Sequence, residues 1–172
     1  GIAKGYAADE INQLLADHNV QRAIINLGGN IYVRGKKNSN QKWRIGIQNP
    51  FQARGSYLGI IRTFNRAVVS SGDYERYFRA QGKKYHHILN HKTGYPVRNQ
   101  VKGVTIIAPQ AIDADALSTA LFVLGVDAGL NLVEKLKNIE ALYITKDRRV
   151  FLSSGLKDNF ELTNNRFTIV NP

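Results

Sequence analysis

Cysteine is absent from the 172 residues, which excludes disulfides, thiolate catalysis and thiolate-held metals in this chain. Methionine is absent as well, and the chain opens on Gly1, the beginning expected of a processed or truncated product. No apolar run approaches the roughly 20 residues that span a bilayer, so no transmembrane helix is expected. Acidic residues are the scarce charge, 13 against 24 basic ones, for a net charge of +11. That excess favours anionic partners such as phosphorylated ligands, nucleic acid or lipid head groups. The basic residues come as isolated pairs, Lys36-Lys37, Lys83-Lys84 and Arg148-Arg149, with no block of five like charges. No zinc finger, RRM signature or basic zipper is legible, so nucleic acid is not the expected partner.

What is present is the balance of an ordinary globular domain, with 43% apolar and 22% charged residues. At this length folding buries roughly 68–70% of the unfolded surface, enough for one domain over residues 1–172. Ala7, Ala8, Ile11, Leu14 and Leu15 recur at helical spacing, and Asp17-His18-Asn19 closes that helix. Ala23 to Leu27 and Ile31 to Val33 read as strands about the Gly28-Gly29-Asn30 turn, and Trp43 to Ile47 alternates as a half-buried strand. Tyr57 to Phe64 and Ala67 to Ser70 read as the next two strands, with a tight turn at Asn65-Arg66.

Residues 71–100 are turn-rich. Val101 to Ala108 reads as a strand, followed by a helix from Ala114 to about Leu124 with Asp113 as its N-cap and a second helix over Asp127 to Lys137. Ala141 to Thr145, Val150 to Ser153, Phe160 to Thr163 and Phe167 to Val170 read as a closing antiparallel meander. Without a repeat, a low-complexity linker or regular strand–helix alternation, the expected class is α+β, a largely antiparallel sheet with a few packed helices.

Three segments carry chemistry. Asp115 and Thr119 are four apart, so a helix places a carboxylate and a hydroxyl on one face near its N-terminus, a hard-oxygen pair suited to Mg²⁺. The alternative is purely structural: Asp113 caps, Asp115 complements the helix dipole, and Thr119 bonds back to its own helix. In Tyr85-His86-His87-Ile88-Leu89-Asn90 successive side chains of a strand point oppositely, so only one of the two histidines can face a given site. The alternative is structural: one histidine on the surface and the other hydrogen-bonded in the core. Gly28-Gly29-Asn30 and Ser71-Gly72-Asp73 are turns at which backbone N–H groups can approach a ligand, or simply turns.

Six motifs occur in a familiar order: Gly1-Ile2-Ala3-Lys4-Gly5-Tyr6-Ala7, Asn26-Leu27-Gly28-Gly29-Asn30, Ser71-Gly72-Asp73-Tyr74-Glu75-Arg76, Tyr85-His86-His87-Ile88-Leu89, Thr93-Gly94-Tyr95-Pro96 and Ala114-Asp115-Ala116-Leu117-Ser118-Thr119-Ala120. Together they resemble the FAD:protein FMN transferases, the ApbE-like flavin transferases. The resemblance implies the C-terminal portion of such a protein. It assigns Mg²⁺ to the Gly1 carbonyl, Asp115 and Thr119, and catalysis to His87 and Asp115. FAD, the substrate, would meet Lys4, Gly28, Gly29, Ser71, Gly72, His87, Leu89, Thr93 and Gly94.

FMN would pass from FAD to a threonine of an acceptor flavoprotein with an Asp-Gly-x-Thr-Gly/Ser-like motif, releasing AMP. FAD hydrolysis and non-catalytic flavin binding are the alternatives. An extracytoplasmic location, in the bacterial periplasm or at the cell surface, is also implied, with membrane attachment only through an N-terminal lipid anchor outside this sequence. Asn90-His91 stands where the family usually has Asp-Pro. Family members are roughly twice as long, so part of the FAD site is expected upstream of Gly1.

Overall fold

A computed structural model describes residues 1–170. Helix α1 (Ala3–Asp17) is followed by β1 (Ala23–Leu27), β2 (Asn30–Arg34), β3 (Trp43–Gln48), β4 (Tyr57–Thr63) and β5 (Arg66–Gly72). Then come β6 (Tyr77–Ala80), β7 (Lys83–His86), β8 (Val101–Ala108), α2 (Ala111–Leu124) and α3 (Val126–Val133). The chain closes with β9 (Glu140–Thr145), β10 (Arg149–Leu152), β11 (Phe160–Leu162) and β12 (Thr168–Val170).

Among the described residues, the strands form a seven-stranded sheet in the order β1-β2-β5-β8-β9-β10-β12, a three-stranded sheet β11-β4-β3, and the separate hairpin β6-β7. The central strands β8 and β9 of the large sheet are buried on both faces, which explains their nearly unbroken apolar sequences. Period-two alternation sends Tyr32, Ala67, Val69, Val104 and Ile106 into a core shared with Ala8, Leu121 and Phe122 of the helices. Their neighbours Val33, Val68, Ile107 and Ile144 meet Ile45, Ile47, Leu58 and Ile61 of the small sheet on the other face. Each fully buried side chain of this size stabilises by roughly 1.5–3 kcal/mol. The α+β class with a largely antiparallel sheet agrees with the reading of the sequence.

Several local expectations are corrected. Asn65 takes a left-handed φ of 47°, but β4 and β5 do not pair; the turn carries the chain from the small sheet to the large one. The C-terminal strands are no meander: β11 pairs with β4 of the small sheet, and β12 lies parallel to β10. Short apolar strands declare that they are buried but not against which partner. β6 escaped notice because all four of its residues are exposed, leaving no alternation to read, and the strand read in Tyr85-His86-His87-Ile88-Leu89-Asn90 is corrected to β7, which ends at His86. The helix expected over Asp127 to Lys137 spans Val126–Val133 and ends in turns, and the opening helix extends to Ala3–Asp17.

The N-cap expected at Asp113 is not there. The second helix begins at Ala111, Gln110 holds the cap position without a side-chain bond, and Asp113 is exposed in the first turn. Instead, the Asp9 carboxylate of α1 accepts hydrogen bonds from the N–H groups of Ala111 and Ile112, both at 2.8 Å. Asp115 of α2 returns the favour, its Oδ2 accepting from the N–H of Gly5 in the first turn of α1 at 2.9 Å. Neither helix caps itself; each satisfies orphan N–H groups of the other. The crossing needs glycine at position 5, where a Cβ would lie 2.5 Å from the Ala111 carbonyl oxygen and 2.6 Å from Ile112 Cα.

Candidate active site

Reciprocal capping fixes where the candidate residues sit. Because Gly5 N–H is bonded to Asp115, the opening motif is pinned to the second turn of α2, with Gly1 exposed just ahead of the helix. Lys4, one residue before Gly5, reaches the other way: its Nζ donates to the Gly28 carbonyl at 3.3 Å. Gly28 and Gly29 form the β1–β2 turn with φ of 62° and 98°, conformations that favour glycine. The Asn26 side-chain oxygen holds Gly29 N–H at 3.0 Å. One turn of α1 thus links the glycine turn, its lysine and the Asp–Thr pair.

Asp115 is half-buried and Thr119 is exposed. Oδ2 of Asp115 is taken by Gly5, while Oδ1 and the Thr119 hydroxyl have no hydrogen-bond partner among the described residues. The bond back to the helix that a hydroxyl can make is made by Ser118 instead, whose Oγ donates to the Asp115 carbonyl at 2.9 Å. A free carboxylate oxygen and a free hydroxyl, next to an exposed backbone segment, are hard oxygen donors and fit Mg²⁺. Such a donor set does not require three clustered His, Asp or Glu side chains, and none are found among the described residues.

Ser71 joins the same helix, its Oγ lying 2.8 Å from that of Ser118. Gly72 is buried at the end of β5, where a Cβ would collide with the Tyr74 ring, so its role here is to admit that ring. Ser71 and Gly72 are therefore held against the helix and the sheet by packing, one on each face.

The two histidines point apart, His86 as the last residue of β7 and His87 in the bend just beyond it. His86 is buried: its Nε2 donates to the Val97 carbonyl at 3.0 Å, its Nδ1 accepts from Ile88 N–H at 3.3 Å, and its ring stands edge-on to Phe122. Burial pushes its pKa below the ordinary histidine value, favouring the neutral ring. His87 is exposed, and its Nδ1 lies 3.2 Å from the Arg76 carbonyl. A carbonyl only accepts, so Nδ1 carries the proton and Nε2 is left as the free acceptor.

Leu89 and Pro96 form an isolated bridge at the base of a projecting loop. Asn90 organises that loop: its N–H donates to the Tyr95 carbonyl at 2.8 Å, its carbonyl accepts from Gly94 N–H at 2.8 Å, and its side-chain oxygen accepts from Lys92 N–H at 2.9 Å. The turn thus forms without the family's Asp-Pro. Thr93 and Gly94 are exposed at its tip, Gly94 with φ of 70°, and Leu89 is 52% exposed. No hydrogen bond joins His87, Leu89, Thr93 or Gly94 to α2 among the described residues; the base of the arm meets that helix where the buried His86 ring stands edge-on to Phe122. Asp9 and Ser118 escaped the sequence reading. A mid-helix aspartate that caps a distant helix leaves no local signal, whereas Ser118 lay inside a quoted motif.

The ApbE family profile matches residues 1–143. Curated relatives include a FAD:protein FMN transferase of Klebsiella pneumoniae (strain 342), 37% identical over 169 residues, covering 98% of this chain and 52% of the relative. Another, from Treponema pallidum (strain Nichols), is 38% identical over 176 residues, covering 98% and 49%. Among solved structures, the ApbE protein of Thermotoga maritima superposes with a TM-score of 0.81 at 37% identity, covering 92% of this chain and 51% of that one. The flavin transferase ApbE of Vibrio cholerae gives 0.77 at 31% identity, covering 91% and 50%. The chain therefore spans about half the length of the relatives it matches.

Proposed function

We propose, for a chain that belongs to the ApbE family, that it provides the metal-binding and histidine portion of an enzyme transferring FMN from FAD to a threonine of an acceptor protein, with release of AMP. The observation that carries this reading is the pair of contacts from adjacent residues, Lys4 to the Gly28 carbonyl and Gly5 to Asp115. They gather a cation, a glycine turn and two oxygen ligands for an FAD pyrophosphate.

Mg²⁺, held by Asp115, Thr119 and the Gly1 carbonyl, would supply charge neutralisation for the pyrophosphate. Lys4 would bind and orient the same anion at the Gly28-Gly29 turn. The acceptor threonine Oγ forms a bond to the FMN phosphorus while the bond from that phosphorus to the bridging oxygen breaks, and that oxygen leaves on AMP. His87 would take the threonine proton at Nε2, since Nδ1 is committed to the Arg76 carbonyl. The Arg76 carbonyl would also stabilise the imidazolium that results. Leu89, Thr93 and Gly94 would line the flavin end of the site. We place the complete protein outside the cytoplasm, on the family resemblance.

The test is to incubate this chain, and a version extended upstream to the relatives' full length, with FAD, Mg²⁺ and a peptide bearing an Asp-Gly-x-Thr-Gly motif. Mass spectrometry should find one FMN added to the threonine and stoichiometric AMP. Free FMN without adduct would assign hydrolysis instead. Neither product from either version would overturn the reading.

A further inference from the structure

We infer that a second, cationic pocket, on the far side of the large sheet from Asp115 and Thr119, binds a small phosphomonoester. Side-chain placement separates the two sites. Ser71 points to the helix face, where it bonds Ser118. A Cβ built on Gly103 would meet the Tyr74 ring at 3.4 Å and Ile144, a member of the small-sheet core, at 3.8 Å. Tyr74 therefore lies on the opposite face and helps to wall a cavity of about 360 Å³ between the loop after β3 and the β6–β7 hairpin. The hairpin has two distinct faces of its own. Tyr77, Arg79 and Lys84 share one face, while Phe78 and Tyr85 stack on the other at 5.2 Å between centroids.

Four cations, Arg54, Arg79, Lys84 and Lys102, line this cavity. Their carboxylates are fewer. Asp73, 7% exposed, is shared by Lys102 at 2.7 Å and Lys84 at 3.2 Å, and Glu75 meets Arg54 at 3.4 Å. Arg79 has no ion pair among the described residues. The two lysine side chains are only 22% and 15% exposed, so water screens them poorly. Burial lowers the pKa of Lys84 against the opposing pull of Asp73, and the neighbouring Lys102 charge adds to the lowering. Four positive against two negative groups leaves +2, the complement of a phosphomonoester dianion, whose several oxygens can meet lysine and arginine donors at once. Tyr77, half exposed with the Lys84 ammonium 4.3 Å from its ring centroid, and Phe51 give the rim two aromatic rings.

Inorganic phosphate and AMP are titrated separately into isotopically labelled protein, following backbone amides by NMR. Saturable shifts should centre on residues 51–54, 74–79, 84 and 102. Equal affinities would mean that the phosphate alone is read, and tighter AMP would add a contribution from the aromatic rim. Lys84→Gln should weaken binding about tenfold or more, as expected for loss of a charge-assisted hydrogen bond. Arg79→Gln, at an exposed position that threatens folding least, should weaken it about two- to fivefold. No saturable shift, affinities unchanged in both variants, or shifts centred on Gly28-Gly29 and Ser118-Thr119 would each overturn the proposal. The last of these would leave the transferase reading intact, and flavinylation would proceed normally in Arg79→Gln if the two sites are separate.

Discussion

The corner where α1 crosses α2 and the arm from Tyr77 to Val97 both contribute to the candidate site, yet they are held in opposite ways. At the corner, long-range contacts do the holding: two carboxylates each cap the other's helix, and a glycine lets the backbones touch. In the arm, local backbone bonds set the shape, and one buried histidine anchors it to α2 while its neighbour stays exposed. On the proposed function, the difference separates two tasks. Ligands for an ion need fixed distances, which a packed helix crossing provides. A residue that accepts a proton from an incoming protein needs exposure and a defined tautomer, which one carbonyl suffices to give.

If the corner is the rigid partner, damage there should unfold more than damage to the arm. Gly5→Val is expected to have the largest effect, near the upper end of the roughly 1–3 kcal/mol typical of overpacking, because its Cβ would strike backbone rather than a movable side chain. Urea titration measures this, and a loss below about 0.5 kcal/mol, the scale of an ordinary surface substitution, would show that the helices can slide apart at little cost. Asp9→Ala should follow at about 2 kcal/mol, since it removes two charge-assisted bonds to the start of α2. Asp9→Asn should recover part of that stability. If it recovers none, the charge at the helix end matters more than the bonds.

The arm's anchor comes next, and pH exposes it. His86 has a lowered pKa in the folded chain and an ordinary one, about 6.5, in the unfolded chain. Between those values the unfolded state binds the extra proton, so stability is complete above about 6.5 and falls as pH drops towards the folded value. His86→Gln should flatten this slope in urea midpoints measured across that window, and an unchanged slope would assign the effect elsewhere. His87→Ala is expected to change stability least, by less than about 0.5 kcal/mol. In an active full-length form it should nonetheless cost flavinylation rate by about a hundredfold or more, the usual scale for a general base. Equal rate losses in His86→Ala and His87→Ala would erase the distinction between anchor and base.

Much of this was legible in local patterns. Strand alternation separated His86 from His87, and the Asp115–Thr119 spacing set both on one helical face. Gly28 and Gly29 announced their turn because left-handed backbone favours glycine. The cap at Asp113 failed for an instructive reason: capping requires only an acceptor near free N–H groups, and a tertiary neighbour, Asp9, met that requirement first. β6 stayed hidden because a strand exposed on both faces, Tyr77 and Phe78 included, has no burial pattern.

By itself the sequence determined the types of most elements, their apolar faces and the order of the six motifs, since these depend on residues close together along the chain. Only the tertiary structure decided that β4 and β5 part into different sheets, that β12 runs parallel to β10, and that Gly5 meets Asp115 across 110 positions of sequence. Strand partners and helix crossings are chosen by which surfaces fit together in three dimensions, and neither periodicity nor spacing encodes the identity of the partner.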